Sequence, residues 1–188
     1  MFHPRPRSGV GGLDVRQKLN EEDSICRITE LRRLTSGGET PVQVFRAIED
    51  ALAAHPDFPK LWCIRGDCIQ LGPEDSPYSL EDALQSYEKA LMIDPSFAEA
   101  HESIGYYFDV IDIDLDRSEA AFREAVRCGA GDSSVVGLAR VLSERGHPTT
   151  QVLSFIDRHD VEQSPQLQEI REEIEGGMWR TNLTNEEA

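Results

Sequence analysis

No stretch of this 188-residue chain approaches the roughly 18 apolar residues that a membrane-spanning helix needs. Arg5 and Arg7 near the start are not followed by the apolar run of a secretory signal, so a cytoplasmic protein is expected. Catalytic signatures are missing too: the chain has no GxSxG elbow, phosphate-binding loop, HExxH helix or dinucleotide fingerprint. Five histidines are scattered at positions 3, 55, 101, 147 and 159, none beside a second ligand at metal spacing along the chain. These absences lead us to expect no enzyme, no catalytic residues, no cofactor and no metal. Cysteine is scarce, at 26, 63, 68 and 128. Cys63 and Cys68 lie five apart, about 140° around a helix axis, and cannot easily bridge each other. Reduced, packed thiols are the expectation, and the sequon at Asn182–Thr184 carries little weight without a secretory route.

Positive charge is also in short supply. Lys and Arg number 19 against 35 Asp and Glu, a net charge of −16. Residues 1–40 are nearly balanced, 7 basic against 6 acidic, whereas residues 41–188 hold 12 against 29. A field of that sign repels nucleic acid and anionic membranes and attracts cationic partners, with salt screening the attraction. The expected partner is therefore a protein or peptide, basic in character. The plainer alternative is that the acidity only keeps the chain soluble.

What the chain does contain is repetition. Ala51-Leu-Ala-Ala-His-Pro56 and Ala90-Leu-Met-Ile-Asp-Pro95 share a pattern at a spacing of 39, each followed by Phe58 or Phe97. A third copy, around Phe122 and Ala125, follows Ala90 by 35 residues. A turn-rich insert at 72–78 and an added residue near 112–116 account for intervals longer than the 34-residue helix–turn–helix period. Within the copies, Ala100, Ile104, Phe108 and Ile111 recur at steps of 4, 4 and 3, a helical stripe. No stretch alternates as a strand.

The run from Pro59, Trp62 and Gly66 through Ile69, Ala83, Tyr87 and Ala90 to Pro95 resembles the tetratricopeptide repeat family. A second copy keeps Ile104, Gly105, Phe108, Phe122 and Ala125, with His101 at the Trp position and Ala130 at the Pro position. Fainter copies lie at Val135–Phe155 and, upstream, at Val44–Pro56, whose first helix around Ser24–Leu34 matches poorly. The resemblance implies an all-α fold: a short right-handed α-solenoid of stacked antiparallel helix pairs. Small residues such as Gly66 and Gly105 would sit where helices approach closely, and Trp62, Tyr87 and Phe108 would fill the core. We expect a flexible tail over 1–20, a repeat domain over 21–160 with its best copies at 59–95 and 98–128, and a second tail over 178–188. Between them, Leu167, Ile170 and Ile174 mark an amphipathic helix over 164–177, expected to cap the last repeat or dock a partner.

Glu99, Glu102, Tyr106 and Asp109 fall at steps of 3, 4 and 3 and share a helix face. In the family the first helix of each pair lines a concave groove, so the resemblance points these residues into it. Lys60, Asp67 and Gln70 would join from the preceding first helix and Arg140 from the following one. Carboxylates around one aromatic ring suit Lys or Arg side chains; the alternative is a solvated helix face. Cys63, Asp67 and Glu102 stand where family members that clamp acidic peptide termini carry basic or amide residues, which argues against that ligand. The expected role is a non-catalytic interaction module or scaffold, or else an assembly protein acting through its terminal repeats or C-terminal helix. The acidic run from Asp109 to Asp116 fails as a calcium loop, because positions 6 and 12 counted from Asp112 are Arg117 and Arg123. Asp116 or Ser118 is instead expected to cap the following helix.

Overall fold

The computed structural model describes residues 14–34, 42–73, 76–160 and 163–179, with the side chains of 21–31 and 33 in its first helix. The described residues form α1 (Asp14–Leu34), α2 (Val42–Ala54), α3 (Pro59–Gln70), α4 (Leu80–Ile93), α5 (Ala98–Val110), α6 (Leu115–Arg127), α7 (Asp132–Glu144), α8 (Thr149–His159) and α9 (Pro165–Glu175), with no strand among them. The helices pair in order as α1–α2, α3–α4, α5–α6 and α7–α8, and each second helix leans on the first helix of the next pair. The first helices also touch in series, α3 on α5, α5 on α7 and α7 on α9. A solenoid follows because no single pair can bury its apolar face alone.

Local chemistry sets the boundaries. Pro59 and Pro165 open α3 and α9, where a missing N–H costs nothing. Ser79 and Asp82 form a reciprocal capping box at the start of α4, the Asp82 carboxylate accepting from the Ser79 N–H at 2.7 Å. Those bonds from Ser79, backbone first, hold the Asp82 carboxyl below its usual range. Ser79→Ala should therefore cost about 1 kcal/mol in a chemical melt. At α6 the cap is Asp114, which accepts from the Asp116 and Arg117 N–H groups at 3.1 Å. Neither Asp116 nor Ser118 caps that helix. Ser118 is buried and donates to the Gly105 carbonyl at 2.9 Å, tying α6 to α5.

The core runs along the stack. Ile28, Val44, Ile48, Leu61, Cys68, Ala83 and Tyr87 fill the first half, and Phe122, Val135, Leu138, Val152, Ile156 and Leu167 the second. Gly66 faces Tyr87 so closely that a Cβ would lie 2.4 Å from its ring. Phe122 is wedged between two glycines: a Cβ on Gly105 would lie 2.7 Å from its ring, and one on Gly137 2.4 Å. Tyr87 and Phe108 are in the core as expected, but Trp62 is only partly buried, and its neighbour Leu61 takes the enclosed position. The Trp62 indole instead lies at the rim and donates to the Pro56 carbonyl at 2.8 Å, closing the turn between α2 and α3.

Two boundaries differ from the sequence reading. The helix α1 starts at Asp14, inside the stretch expected to be a tail, because residues 14–20 favour helix by propensity without presenting an apolar stripe. Ile28 buries against α2 and makes this an additional helix pair. At the other end Trp179, expected to lie in the second tail, packs on the core of the last repeats. The remaining tail positions, 1–13 and 180–188, lie outside the described residues, as does the sequon. The inner face of α9, formed by Leu167, Ile170 and Ile174, is buried against its neighbours.

Candidate functional site

The predicted groove residues fall on the first helices α3, α5 and α7, and most of them are engaged with one another or with neighbouring residues of the stack. Lys60 of α3 pairs with Glu99 of α5. Glu102 accepts a hydrogen bond from the Ser134 hydroxyl at the start of α7. The Tyr106 hydroxyl donates to the Ser133 carbonyl at 2.9 Å, and its ring meets Phe122 edge-on at 4.8 Å. Asp109 pairs with Arg140; the Asp109 side chain is only 4% exposed and that of Arg140 20%. On α3, Asp67 accepts from the Tyr87 hydroxyl at 3.0 Å. Gln70 is half-buried at the end of α3.

The same contacts that line this face therefore join successive repeats. Residues about 30–40 apart in sequence meet because α3, α5 and α7 stack side by side. Glu99 and Asp109 are paired with internal cations, and Glu102 and Asp67 are engaged by hydroxyl donors, so a ligand meets fewer free carboxylates than residue types alone imply. A second group of carboxylates lies farther along. Between α5, α7 and α9 is a half-open cleft of about 330 Å3, lined by Tyr106, Arg140, Glu169, Ile170, Glu173 and Trp179 among others. The Arg140 guanidinium lies 5.3 Å from the Trp179 ring and 5.9 Å from Tyr106, and Trp179 donates to Glu173 at 2.7 Å. Glu169, Glu173 and Trp179 are not among the residues the sequence points to. The spacing on α9 discloses only its buried, cap-like side, and Trp179 falls in the expected tail.

Neither reactive chemistry nor metal spacing is visible along the chain, and the structure bears on both. Burial, helped by the nearby charges of Asp67 and Glu99, pushes the Cys63 thiol far above its usual range, the opposite of what a nucleophile needs. None of the four cysteines forms a disulfide. His101 repeats the bond of Trp62: its Nε2 lies 2.9 Å from the Pro95 carbonyl, six residues earlier in both cases. The stacking of α5 on α6 also places His101 beside Glu124 and Cys128, a meeting that linear spacing could not reveal.

No family model and no curated protein matches the chain. Solved structures do. PilW, a widely conserved type IV pilus biogenesis factor, superimposes with a TM-score of 0.59 at 18% identity, over 82% of this chain and 66% of PilW. This chain thus spans just under two thirds of the PilW chain. TTC0263, a thermophilic TPR protein of Thermus thermophilus, superimposes with a TM-score of 0.56 at 16% identity, over 72% of this chain and 71% of the other. No helix among the described residues is long and apolar enough to cross a membrane. The chain has the all-α, stacked helix-pair fold of tetratricopeptide repeat proteins.

Proposed function

We propose that this protein is a non-catalytic interaction scaffold that holds a basic peptide or protein surface against the face formed by α5, α7 and α9. The carrying observation is the cleft at Tyr106, Arg140, Glu169, Glu173 and Trp179, where two carboxylates and two aromatic rings surround one resident guanidinium. That combination suits a Lys or Arg side chain through ion pairing and contact with a ring face. Exposed Glu99 extends the acidic surface toward α3. Lys60, Asp67, Gln70, Glu102, Tyr106, Asp109 and Arg140 act in this reading mainly by fixing the geometry of the face rather than by presenting free charge. The proposed setting is the cytoplasm, with no nucleic acid or membrane partner, in keeping with an acidic repeat region and four cysteines outside any disulfide.

Affinity capture on the immobilised full chain tests this reading. Bound proteins should be eluted by raising salt, and the double variant Glu169→Lys/Glu173→Lys should retain few of them. Partners indifferent to salt and to that reversal would sink the basic-ligand proposal. A rival assembly role through α9 is less favoured, because its apolar face is already spent on the core. Light scattering that shows a stable dimer of the intact chain would revive it.

A further inference from the structure

Three side chains with different ligand chemistry meet where α5 packs on α6. His101, in the first turn of α5, offers a ring nitrogen; Glu124 near the end of α6 offers a carboxylate oxygen; and Cys128, the residue that closes α6, offers its sulfur. These atoms all lie within 4.8 Å of one another, and all three residues are half-buried. Glu124 and Cys128 are four apart and so share one helix face.

The bond made by His101 fixes its tautomer. A carbonyl oxygen can only accept, so the nitrogen facing Pro95, Nε2, carries the hydrogen, and the neutral ring presents its lone pair at Nδ1. Metal-bound histidines are typically held by such a bond from the other ring nitrogen. Glu124 spends Oε2 on the Arg127 guanidinium at 2.8 Å, which leaves Oε1 for a ligand.

Comparison with the preceding repeat sharpens the point. There the equivalent positions are Trp62, Lys89 and Ile93, at the offsets of 39 and 35 residues that relate the two copies. Trp62 makes the same bond to the proline carbonyl, but an indole has no lone pair to give. The third repeat keeps the bond while exchanging all three positions for residues that can bind a metal. Packing alone does not call for that coincidence.

We propose that His101, Glu124 and Cys128 form a Zn2+ site that clamps the start of α5 to the end of α6. A nitrogen, a thiolate and a carboxylate suit Zn2+ and do not suit the oxygen-seeking Mg2+ or Ca2+. Bonds of about 2.0–2.3 Å from a tetrahedral ion hold ligand atoms within about 4 Å of one another, a spacing that atoms already within 4.8 Å reach by side-chain rotation at a half-open rim. Three protein ligands leave the fourth position to water, and the Cys128 thiol releases its proton to solvent on binding.

Cobalt titration of the metal-free full chain under reducing conditions tests this. One equivalent of Co2+ should produce a thiolate-to-cobalt charge-transfer band, and Zn2+ should displace it. Cys128→Ser should abolish the band, while His101→Gln and Glu124→Gln should each weaken binding by at least about tenfold. Cys26→Ser, which removes the exposed thiol on α1, should leave the band unchanged. Circular dichroism of each variant checks that the helices persist. No charge-transfer band at saturating cobalt, a band that survives Cys128→Ser, or one lost with Cys26→Ser would overturn the proposal.

Discussion

Replacing Phe122 with alanine should lower the unfolding free energy by about 3–5 kcal/mol, the scale for deleting a large aromatic from a packed core. Phe122 is fully buried and fills the space between Gly105 on α5 and Gly137 on α7. It therefore belongs at once to its own helix pair and to the joint with the next. Removing it opens a cavity at both, and neither glycine has a side chain with which to fill it. The companion test adds atoms instead. Gly137→Ala would drive a Cβ to within 2.4 Å of the ring, and the same change at Gly66 meets Tyr87 at the same distance. Each should destabilise by about 1–3 kcal/mol through overpacking. Urea melts followed by circular dichroism would read both effects. A Phe122→Ala protein as stable as the parent would mean that the third and fourth pairs do not stack as described.

Asp109→Ala should cost a comparable amount, about 3–5 kcal/mol, by stranding the Arg140 charge in a largely buried site. The lower part of that range is expected, since the Arg140 side chain keeps 20% of its surface in water and can turn toward it. The double variant Asp109→Leu/Arg140→Met should recover much of the loss, because apolar groups of similar volume often replace a buried pair without penalty. Recovery would identify the pair as a joint between α5 and α7. If Asp109→Ala left the melt unchanged, the carboxylate would be a free groove residue after all.

Much of this fold can be read in the chain because each repeat carries its own local instructions. The Ala-Leu…Pro echo marks the ends of α2 and α4. Gly66 and Gly105 mark where two helices approach too closely for a Cβ. Gly137, 32 residues after Gly105, performs the same service, but the fourth pair is otherwise so degenerate that this role is not legible in the chain. Trp62 shows the limit of a consensus position: a residue type that often fills a core here lies at the rim and holds a turn.

The surface is harder to read, for a physical reason. Helical periodicity tells which residues share a face, and Glu99, Glu102, Tyr106 and Asp109 do share α5. It says nothing of what the next first helix brings opposite them. Ser133, Ser134 and Arg140 satisfy three of those four side chains from α7, and Lys60 pairs with the fourth from α3. Charge that looks available along the chain is largely spent in three dimensions. The carboxylates around the cleft lie instead on α9, where amphipathic spacing discloses only the buried side.

Hydrogen exchange of the full chain, with and without a Lys- and Arg-rich peptide at low salt, tests the central claim most directly. The account predicts new protection on α5, α7 and α9 around Tyr106, Glu169 and Trp179, lost in Glu169→Lys/Glu173→Lys and absent with an acidic peptide of equal length. Protection confined to the second helices α4, α6 and α8, or equal for the acidic peptide, would contradict it.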